Sequence, residues 1–301
     1  MSQSSTLDQF EGVDIDLSLL EIEAKISSHS PLFGLYSSVF KNKGSDFAEV
    51  RPYSYGDDVR RIDWRVTARS NAPHIRVDHE ERELPLLFIV DNSASFLWSS
   101  RKKNKRQTCA ELIGILGSMA LQKGDALGLV LFSRGIDLYL PPQKKRQHLW
   151  EILSHCLEAS TSPSASQLRG ALEFIHQVKV RPSILVIISD FQGSDWQDEI
   201  KILGQRHDII PVLILDPRES NLQGGGILSL ESPDGHDQST VNCSHPDLIK
   251  NFKKQQALEL EDLRNFFDQR WIDLLVHNSD ENIMDNMLQY FHHRNLSQRH
   301  L

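Results

Sequence analysis

Three small oxygen-bearing side chains occupy alternate positions of one short segment, as Asp91, Ser93 and Ser95. In a tight loop, this spacing lets one carboxylate and two hydroxyls converge on a point, and such oxygen ligands suit a hard divalent cation. The expected cofactor is therefore Mg²⁺ or Mn²⁺. The same residues also fit a second interpretation, in which Asp91 and the serines only cap the helix that follows.

The segments before these residues favour the metal interpretation. Residues 84–90 form a continuous apolar run, which predicts a strand buried on both faces of a parallel sheet. A second apolar strand, residues 183–188, ends at Ser189 and Asp190. Ligands of open α/β sheets bind outside the carboxyl ends of the strands, so Asp91 and Asp190 are expected to share one site.

The rest of the chain after residue 80 alternates between strands and helices. Predicted helices cover residues 108–122, 146–157, 168–178, 196–206, 249–267 and 282–292, and further strands cover residues 126–132, 135–140, 209–215, 227–230, 239–242 and 271–276. Pro141 and Pro142 are expected to end the strand before them. Glu259, in a late helix, is expected to lie far from Asp91. This alternation predicts an α/β fold with a mostly parallel, doubly wound, Rossmann-like sheet.

The first 80 residues differ from the rest, being polar and turn-rich with one predicted helix near residues 18–28. We therefore expect a smaller N-terminal region over residues 1–80, an α/β domain over residues 81–295 and a tail over residues 296–301.

Composition limits the classes of function. The net charge of −8 opposes general binding to nucleic acid or anionic lipid. Cys109, Cys156 and Cys243 are isolated, so neither a disulfide framework nor a thiolate zinc site is expected. The longest apolar run is far below the roughly 20 residues that span a bilayer. These features predict a soluble, cytoplasmic protein.

A longer pattern carries a family resemblance. Residues 51–69, RPYSYGDDVRRIDWRVTAR, followed by residues 80–83, EERE, resemble the signature of a bacterial family numbered fifty-eight among domains of unknown function. Its members are commonly encoded beside MoxR-type AAA+ ATPases, so the resemblance implies such an ATPase or its client as a partner.

The segment from Asp91 to Ser95, the hydroxyl-rich loop at residues 160–166 and Ser189–Asp190 resemble the metal-ion-dependent adhesion site of von Willebrand factor A domains. This resemblance implies a cation held by a set of five residues: Asp91, Ser93, Ser95, Ser166 and Asp190. Ser166 stands where such domains usually place threonine, and Thr161 or Ser164 could serve if the loop is shifted.

Two charged segments have structural interpretations. Gly56-Asp57-Asp58 predicts a turn, and the arginines around it are expected to pair around a buried Trp64, whose truncation to Ala would cost about 3–5 kcal/mol. The alternative is a binding surface. The basic run at residues 102–106 is interpreted as a solvated loop, with a patch for an acidic partner as the alternative.

Three functions follow from these features. The first is a non-enzymatic interaction factor whose cation takes a carboxylate from a partner protein. The alternative is a metal-dependent phosphohydrolase, which is disfavoured because position 93 is Ser, whereas phosphatases resembling haloacid dehalogenases need Asp-x-Asp. The third is an RNA-associated domain, which the negative net charge disfavours.

Overall fold

The structure is a computed structural model that describes residues 30–41, 49–70, 72–77, 84–93, 104–158, 167–217, 227–231, 238–242 and 246–297. Its helices are α1 (Pro31–Lys41), α2 (Trp64–Ser70), α3 (Lys105–Lys123), α4 (Arg146–Glu158), α5 (Leu168–Val178), α6 (Gln197–Leu203), α7 (Pro246–Asp268) and α8 (Ile283–Ser297). Its strands are β1 (Glu49–Pro52), β2 (His74–Val77), β3 (Leu86–Asp91), β4 (Leu127–Phe132), β5 (Ile136–Gln143), β6 (Ile184–Ile188), β7 (Asp208–Leu215), β8 (Ile227–Glu231), β9 (Gln238–Asn242) and β10 (Leu275–Asn278). The predicted helix at residues 18–28 lies outside the described residues.

A six-stranded sheet organises the chain, with the strand order β10-β7-β6-β3-β4-β5. All neighbouring strands pair in parallel except β4 and β5, which form an antiparallel hairpin at one edge. The prediction of an α/β fold with a mostly parallel sheet is thus confirmed. The chain proceeds from β3 outward to β4 and β5, then returns to place β6 on the other side of β3. The strand order therefore reverses at β3.

Helices cover both faces of this sheet, which explains the continuous apolar pattern of β3. Leu86, Phe88 and Val90 enter one hydrophobic cluster together with residues of α1, α3, α4 and α8. Leu87 and Ile89 enter a second cluster with residues of α5, α6 and α7. A strand buried on both faces has no polar side and reads as an unbroken apolar run. No helix among the described residues has the length and apolarity needed to cross a membrane.

The N-terminal part contains two distinct pieces. Helix α1 packs into the first cluster through Tyr36 and Phe40, whose rings contact Phe291 of α8. Strands β1 and β2 form a separate antiparallel pair. Between these strands, the predicted turn at Gly56 is present, with a φ of 106°.

The observed edge strand corrects one expected boundary. The prolines at 141 and 142 were expected to end a strand, but β5 continues through them to Gln143. Proline has no N–H to donate, so it breaks a central strand, whereas an edge strand leaves half of its N–H groups unpaired.

The predicted strand at residues 271–276 is shifted to Leu275–Asn278, and Trp271 lies before it with a φ of 57°. The predicted hairpin at residues 227–230 and 239–242 is confirmed as β8 and β9.

The expected burial of Trp64 is wrong. Its side chain is 70% exposed at the start of α2, and the one ion pair described around it joins Arg51 to Asp57. The reason lies in the local hydrogen bonding: the Asp63 carboxylate accepts the N–H groups of Arg65 and Val66 and so caps α2. Capping of this kind fixes the helix without burying its first residue.

We therefore expect Trp64→Ala to lower the free energy of unfolding by about 1 kcal/mol at most, well below the loss for a buried tryptophan. Urea denaturation measures this change. The buried Trp196→Ala is the matched control and should lose about 3–5 kcal/mol. A loss of that size at Trp64 would show that its ring is buried.

His207 gives the fold a pH dependence. Burial first, and then the charge of Arg206, lower the pKa of His207 to about 4, whereas an unfolded chain protonates histidine near pH 6.5. The unfolded state therefore binds the proton first, and stability falls as the pH drops from about 6.5 to about 4. Unfolding free energies of His207→Gln at about pH 7 and about pH 5 should differ less than those of the wild type. The exposed His292→Gln should keep the wild-type difference, and an unchanged difference in His207→Gln would exclude this residue as the cause.

Candidate functional site

The first candidate ligand, Asp91, is the last residue of β3, and its side chain is only 2% exposed. Its Oδ1 accepts the backbone N–H of Ser93 at 2.8 Å, which bends the chain sharply after the strand. The N–H of Asn92 donates to the carbonyl of Phe132 on the neighbouring strand β4, at 2.7 Å. These bonds hold the carboxylate and the Ser93 hydroxyl within one tight turn.

The second carboxylate, Asp190, follows β6 and is half-buried. Its Oδ1 accepts the N–H of Gln192 at 3.3 Å. Phe191 adopts a left-handed backbone with a φ of 53°, and its buried ring contacts Trp196 and Phe267. A non-glycine residue in this conformation needs support from its surroundings, and the aromatic contacts provide it. The packing therefore fixes the turn that presents Asp190.

The two carboxylates come from neighbouring strands. β3 and β6 pair in parallel, with Val90 opposite Ile188, so Asp91 and Asp190 follow at the same edge of the sheet. This edge is the carboxyl end, and β3 is where the strand order reverses, which is the usual ligand position in open α/β sheets. Ser95 and Ser166, and the alternatives Thr161 and Ser164, lie outside the described residues. Among the residues described, no group of three or more His, Cys, Asp or Glu side chains is placed to hold a metal.

A hydrogen-bond network that is buried at Arg106, Asn92 and Ser133 and exposed at Asp137 adjoins Asp91. Arg106 Nη2 donates to Asn92 Oδ1 at 2.8 Å, and Asn92 Nδ2 donates to Asp137 Oδ2 at 3.0 Å. The hydroxyl of Ser133 donates to the other oxygen of Asp137 at 2.9 Å. The network therefore joins the turn after β3 to the first turn of α3 and to the hairpin of β4 and β5.

The β4–β5 hairpin of this network also contacts the segment that follows the hydroxyl-rich loop at residues 160–166. The N–H of Gln167, the residue after Ser166, donates to the carbonyl of Ser133 at 2.8 Å. The chain leaving the hydroxyl-rich loop is thus anchored to the hairpin that also holds Asn92 through Asp137.

The start of α3 corrects the interpretation of the basic run at residues 102–106 for Lys105 and Arg106, whereas residues 102 and 103 lie outside the described residues. Lys105 and Arg106 are not in a solvated loop but are buried in the first turn of α3. Asn104 and Gln107 form a capping box that starts the helix there, with each side chain accepting the other residue's N–H. The Asn-x-x-Gln spacing is visible in the sequence and was the signal that could have placed this helix start.

Burial also sets the electrostatics around Arg106. Burial lowers the pKa of Arg106 from its usual value, while the nearby thiols of Cys156 and Cys109 oppose this change. An arginine shifted downward still carries its charge at neutral pH, because its ordinary pKa exceeds 12. Burial likewise raises the pKa of the Cys156 thiol to about 12. The pair of cysteines is therefore protonated and chemically inert at neutral pH.

A groove of about 910 Å³ opens beside Asp190. Its lining combines apolar side chains with charged ones: Lys105, Phe191, Leu213, Leu215, Phe252, Lys253, Glu259, Leu260, Asp262 and Leu263. Glu259, expected to be remote, thus lies on the same groove as Asp190, because residues 252–263 of α7 line it together with Leu213 and Leu215 of β7. The site therefore has an open, partly apolar flank as well as a polar edge.

Asn92 accepts a hydrogen bond from the buried guanidinium of Arg106 and donates one to the exposed Asp137, so its removal leaves one buried charged group short of a hydrogen bond. We expect Asn92→Ala to lower the free energy of unfolding by about 1–3 kcal/mol. Urea denaturation tests this, with Asn295→Ala as the control. Asn295 accepts one exposed bond from Ser38, and its loss should cost about 0.5 kcal/mol or less. Equal effects of the two variants would contradict a supporting role for Asn92.

The solved structures that cover 70% of the chain include two from Bacteroides species. One is the conserved hypothetical protein BatB from Bacteroides thetaiotaomicron, with 11% identity, a TM-score of 0.41 and 98% of its chain covered. The other is an aerotolerance-related membrane protein from Bacteroides fragilis NCTC 9343, with 10% identity, a TM-score of 0.42 and 99% of its chain covered.

Sequence relatives match more closely. An uncharacterized protein of Mycobacterium tuberculosis (strain ATCC 25618 / H37Rv) is 30% identical over 218 residues, which are 71% of this chain and 69% of the relative. An uncharacterized protein of Mycobacterium bovis matches to the same extent. The model of the family described as "Protein of unknown function DUF58" matches residues 49–261. The chain therefore belongs to the DUF58 family.

Proposed function

We propose that this chain is a non-enzymatic protein-interaction factor that binds its partner through a divalent cation. The cation is Mg²⁺ or Mn²⁺, held by Asp91, Ser93, Ser95, Ser166 and Asp190. The observation that carries the proposal is the placement of Asp91 and Asp190 at the carboxyl ends of two adjacent parallel strands, where the strand order reverses. The mostly parallel sheet with one antiparallel edge strand supports the finer assignment to the von Willebrand factor A type.

Charge balance favours binding of a further carboxylate. Two carboxylates neutralise a divalent cation, and the hydroxyls add no charge. A neutral site with an open coordination position accepts one more anionic oxygen, which a partner's Asp or Glu supplies as a charge-assisted contact. The groove beside Asp190 then offers apolar surface to the residues that flank this carboxylate.

The ammonium group of Lys105 is an alternative to the divalent cation as the positive charge that balances Asp91 and Asp190. Its buried side chain lines the same groove as Asp190. If Lys105 alone balanced these carboxylates, the protein would show no stabilisation by a divalent cation. The metal response therefore separates the two arrangements.

The described residues offer no support for hydrolysis. A serine–histidine hydrogen bond does occur, between Ser70 Oγ and His74 Nδ1 at 2.8 Å. The same Nδ1 lies 2.8 Å from the carbonyl of Ala72, which can only accept, so this nitrogen carries the proton and cannot act as a base toward Ser70. The phosphohydrolase alternative lacks the second Asp of Asp-x-Asp, because residue 93 is Ser.

The proposed partner is a MoxR-type AAA+ ATPase or its client. This part of the proposal rests on the family resemblance, since members of the family are commonly encoded beside such ATPases. Membership of the DUF58 family supports it.

Cation binding is tested by thermal and urea unfolding of the full chain with Mg²⁺ or with EDTA. At 100 times its dissociation constant, a bound ligand stabilises the fold by about 2.7 kcal/mol. We expect Asp91→Asn to abolish this gain, because the amide keeps an oxygen for the Ser93 N–H but loses the charge. Asp268→Asn, at an exposed position of α7 that does not line the groove, should keep the gain. An equal gain in Asp91→Asn would place the cation elsewhere, and no gain in the wild type would overturn the proposal.

Binding to the partner is tested by biolayer interferometry with a purified MoxR-type ATPase from the same genome, with and without EDTA. EDTA and Asp190→Ala should each weaken binding at least about tenfold, or about 1.4 kcal/mol. Asp268→Ala should bind as the wild type does. Binding that is indifferent to both EDTA and Asp190→Ala would show that the cation is not the docking element.

A further inference from the structure

A second surface, independent of the proposed cation site, lies between β1 and β2. It consists of exposed side chains of the turn, the single 3-10 turn Val59–Arg61 and helix α2. We name it the arginine–tryptophan surface, formed by Tyr55, Val59, Arg60, Arg61, Trp64, Arg65 and Arg69. Tyr55 is fully exposed, and Val59 and Trp64 are 63% and 70% exposed. Exposed aromatic and apolar groups among cations are typical of a contact surface.

The carboxylates of this region are already engaged. Asp57 forms a bidentate ion pair with Arg51, with N–O distances of 2.7 and 2.6 Å, and this pairing lowers the pKa of Asp57. Asp58 accepts the N–H of Arg60, and Asp63 caps α2.

The arginines of the arginine–tryptophan surface, in contrast to Arg51, form no ion pair among the described residues. Within the described part of the chain, no carboxylate contacts the guanidinium groups of Arg60, Arg61, Arg65 or Arg69. The surface therefore presents four guanidinium groups without a contacting carboxylate around an exposed tryptophan, and its charge stays positive when Asp58 and Asp63 are counted.

The use of arginine rather than lysine in this segment indicates which ligands the surface can bind. Residues 49–77 contain six arginines and no lysine. The planar guanidinium binds carboxylates in a bidentate manner and stacks on aromatic rings, which an ammonium does not do equally well. A polyanion such as nucleic acid would meet the repulsion of a chain with a net charge of −8. A short segment that alternates carboxylates with apolar side chains fits both the arginines and Trp64.

The chain itself contains such a segment. Residues 8–23, DQFEGVDIDLSLLEIE, include six acidic and no basic side chains, with seven apolar residues among them. We propose that residues 8–23 bind the arginine–tryptophan surface of the same molecule, with their carboxylates on the arginines and an apolar side chain on Trp64.

The tether lengths permit this contact. Residues 24–30 separate the acidic segment from α1, and residues 42–48 separate α1 from β1. Because α1 extends over about 16 Å and residues 42–48 span at most about 25 Å, β1 begins no more than about 41 Å from the start of α1. Residues 8–30 reach up to about 80 Å when extended. Both segments can therefore meet within one molecule, at a high effective concentration set by the short connectors.

Photo-crosslinking of the full chain tests the contact. Benzoylphenylalanine replaces Trp64, and mass spectrometry identifies the crosslinked peptides. We expect crosslinks within residues 8–23, lost in Asp14→Lys/Asp16→Lys and reduced by high salt, which screens exposed charges. The charge-swapped protein, with Arg61→Glu and Arg65→Glu added, should regain them. The same probe at Trp271, which is 79% exposed on another part of the chain, is the matched control and should give no crosslink to residues 8–23.

A mixture of isotope-labelled and unlabelled chains separates contacts within a molecule from contacts between copies. Crosslinks within residues 8–23 that join only chains of the same label support the proposal. Crosslinks between labels, crosslinks that persist unchanged in Asp14→Lys/Asp16→Lys, or none within residues 8–23 overturn it. None of these outcomes depends on the cation site, because the probe is read without metal.

Discussion

The candidate site depends on how the fold accommodates one buried positive charge, the guanidinium of Arg106. A charged group removed from water is tolerated only with hydrogen-bonding partners, and here Asn92 supplies one and is itself held by Asp137. The chain of bonds ties the turn after β3, the start of α3 and the β4–β5 hairpin to each other. Because all three segments share these partners, a shift in one changes the hydrogen bonding of the others. The position of Asp91 is thus determined by residues that are not themselves candidate ligands.

The polar edge and the groove have different physical origins. Asp91 and Asp190 meet because parallel strands end together, which is a property of the sheet. The groove lies between the turn after β6, which the aromatic contacts of Phe191 support, and residues 252–263 of α7. The two carboxylates supply negative charge at a defined position, and the groove supplies apolar contact area. Protein recognition commonly uses both, with a buried polar anchor bordered by surface that excludes water.

Periodicity and strand ends in the sequence predicted the sheet and the shared edge of Asp91 and Asp190, because burial on both faces leaves an unbroken apolar run. The partners of Asn92 could not be predicted in the same way. Asp137 lies 45 residues from Asn92 along the chain, and only the pairing of β4 with β5 brings it close. Trp64 was misjudged for a related reason: an aromatic residue among charges fits a buried network or an exposed surface equally well, and only the tertiary contacts distinguish the two. The start of α3 was predictable from its capping box, which local spacing reveals.

The two edge strands of the six-stranded sheet, β5 and β10, are also poor templates for adding a strand from another molecule. On one side, β5 carries Pro141 and Pro142, which lack the N–H groups that a new strand would need. On the other side, β10 has only four residues, so it offers a short row of backbone groups. Edge-to-edge pairing of two six-stranded sheets is therefore disfavoured by the backbone itself. A contact between copies at either edge of this sheet depends on side chains, so surface residues determine its specificity.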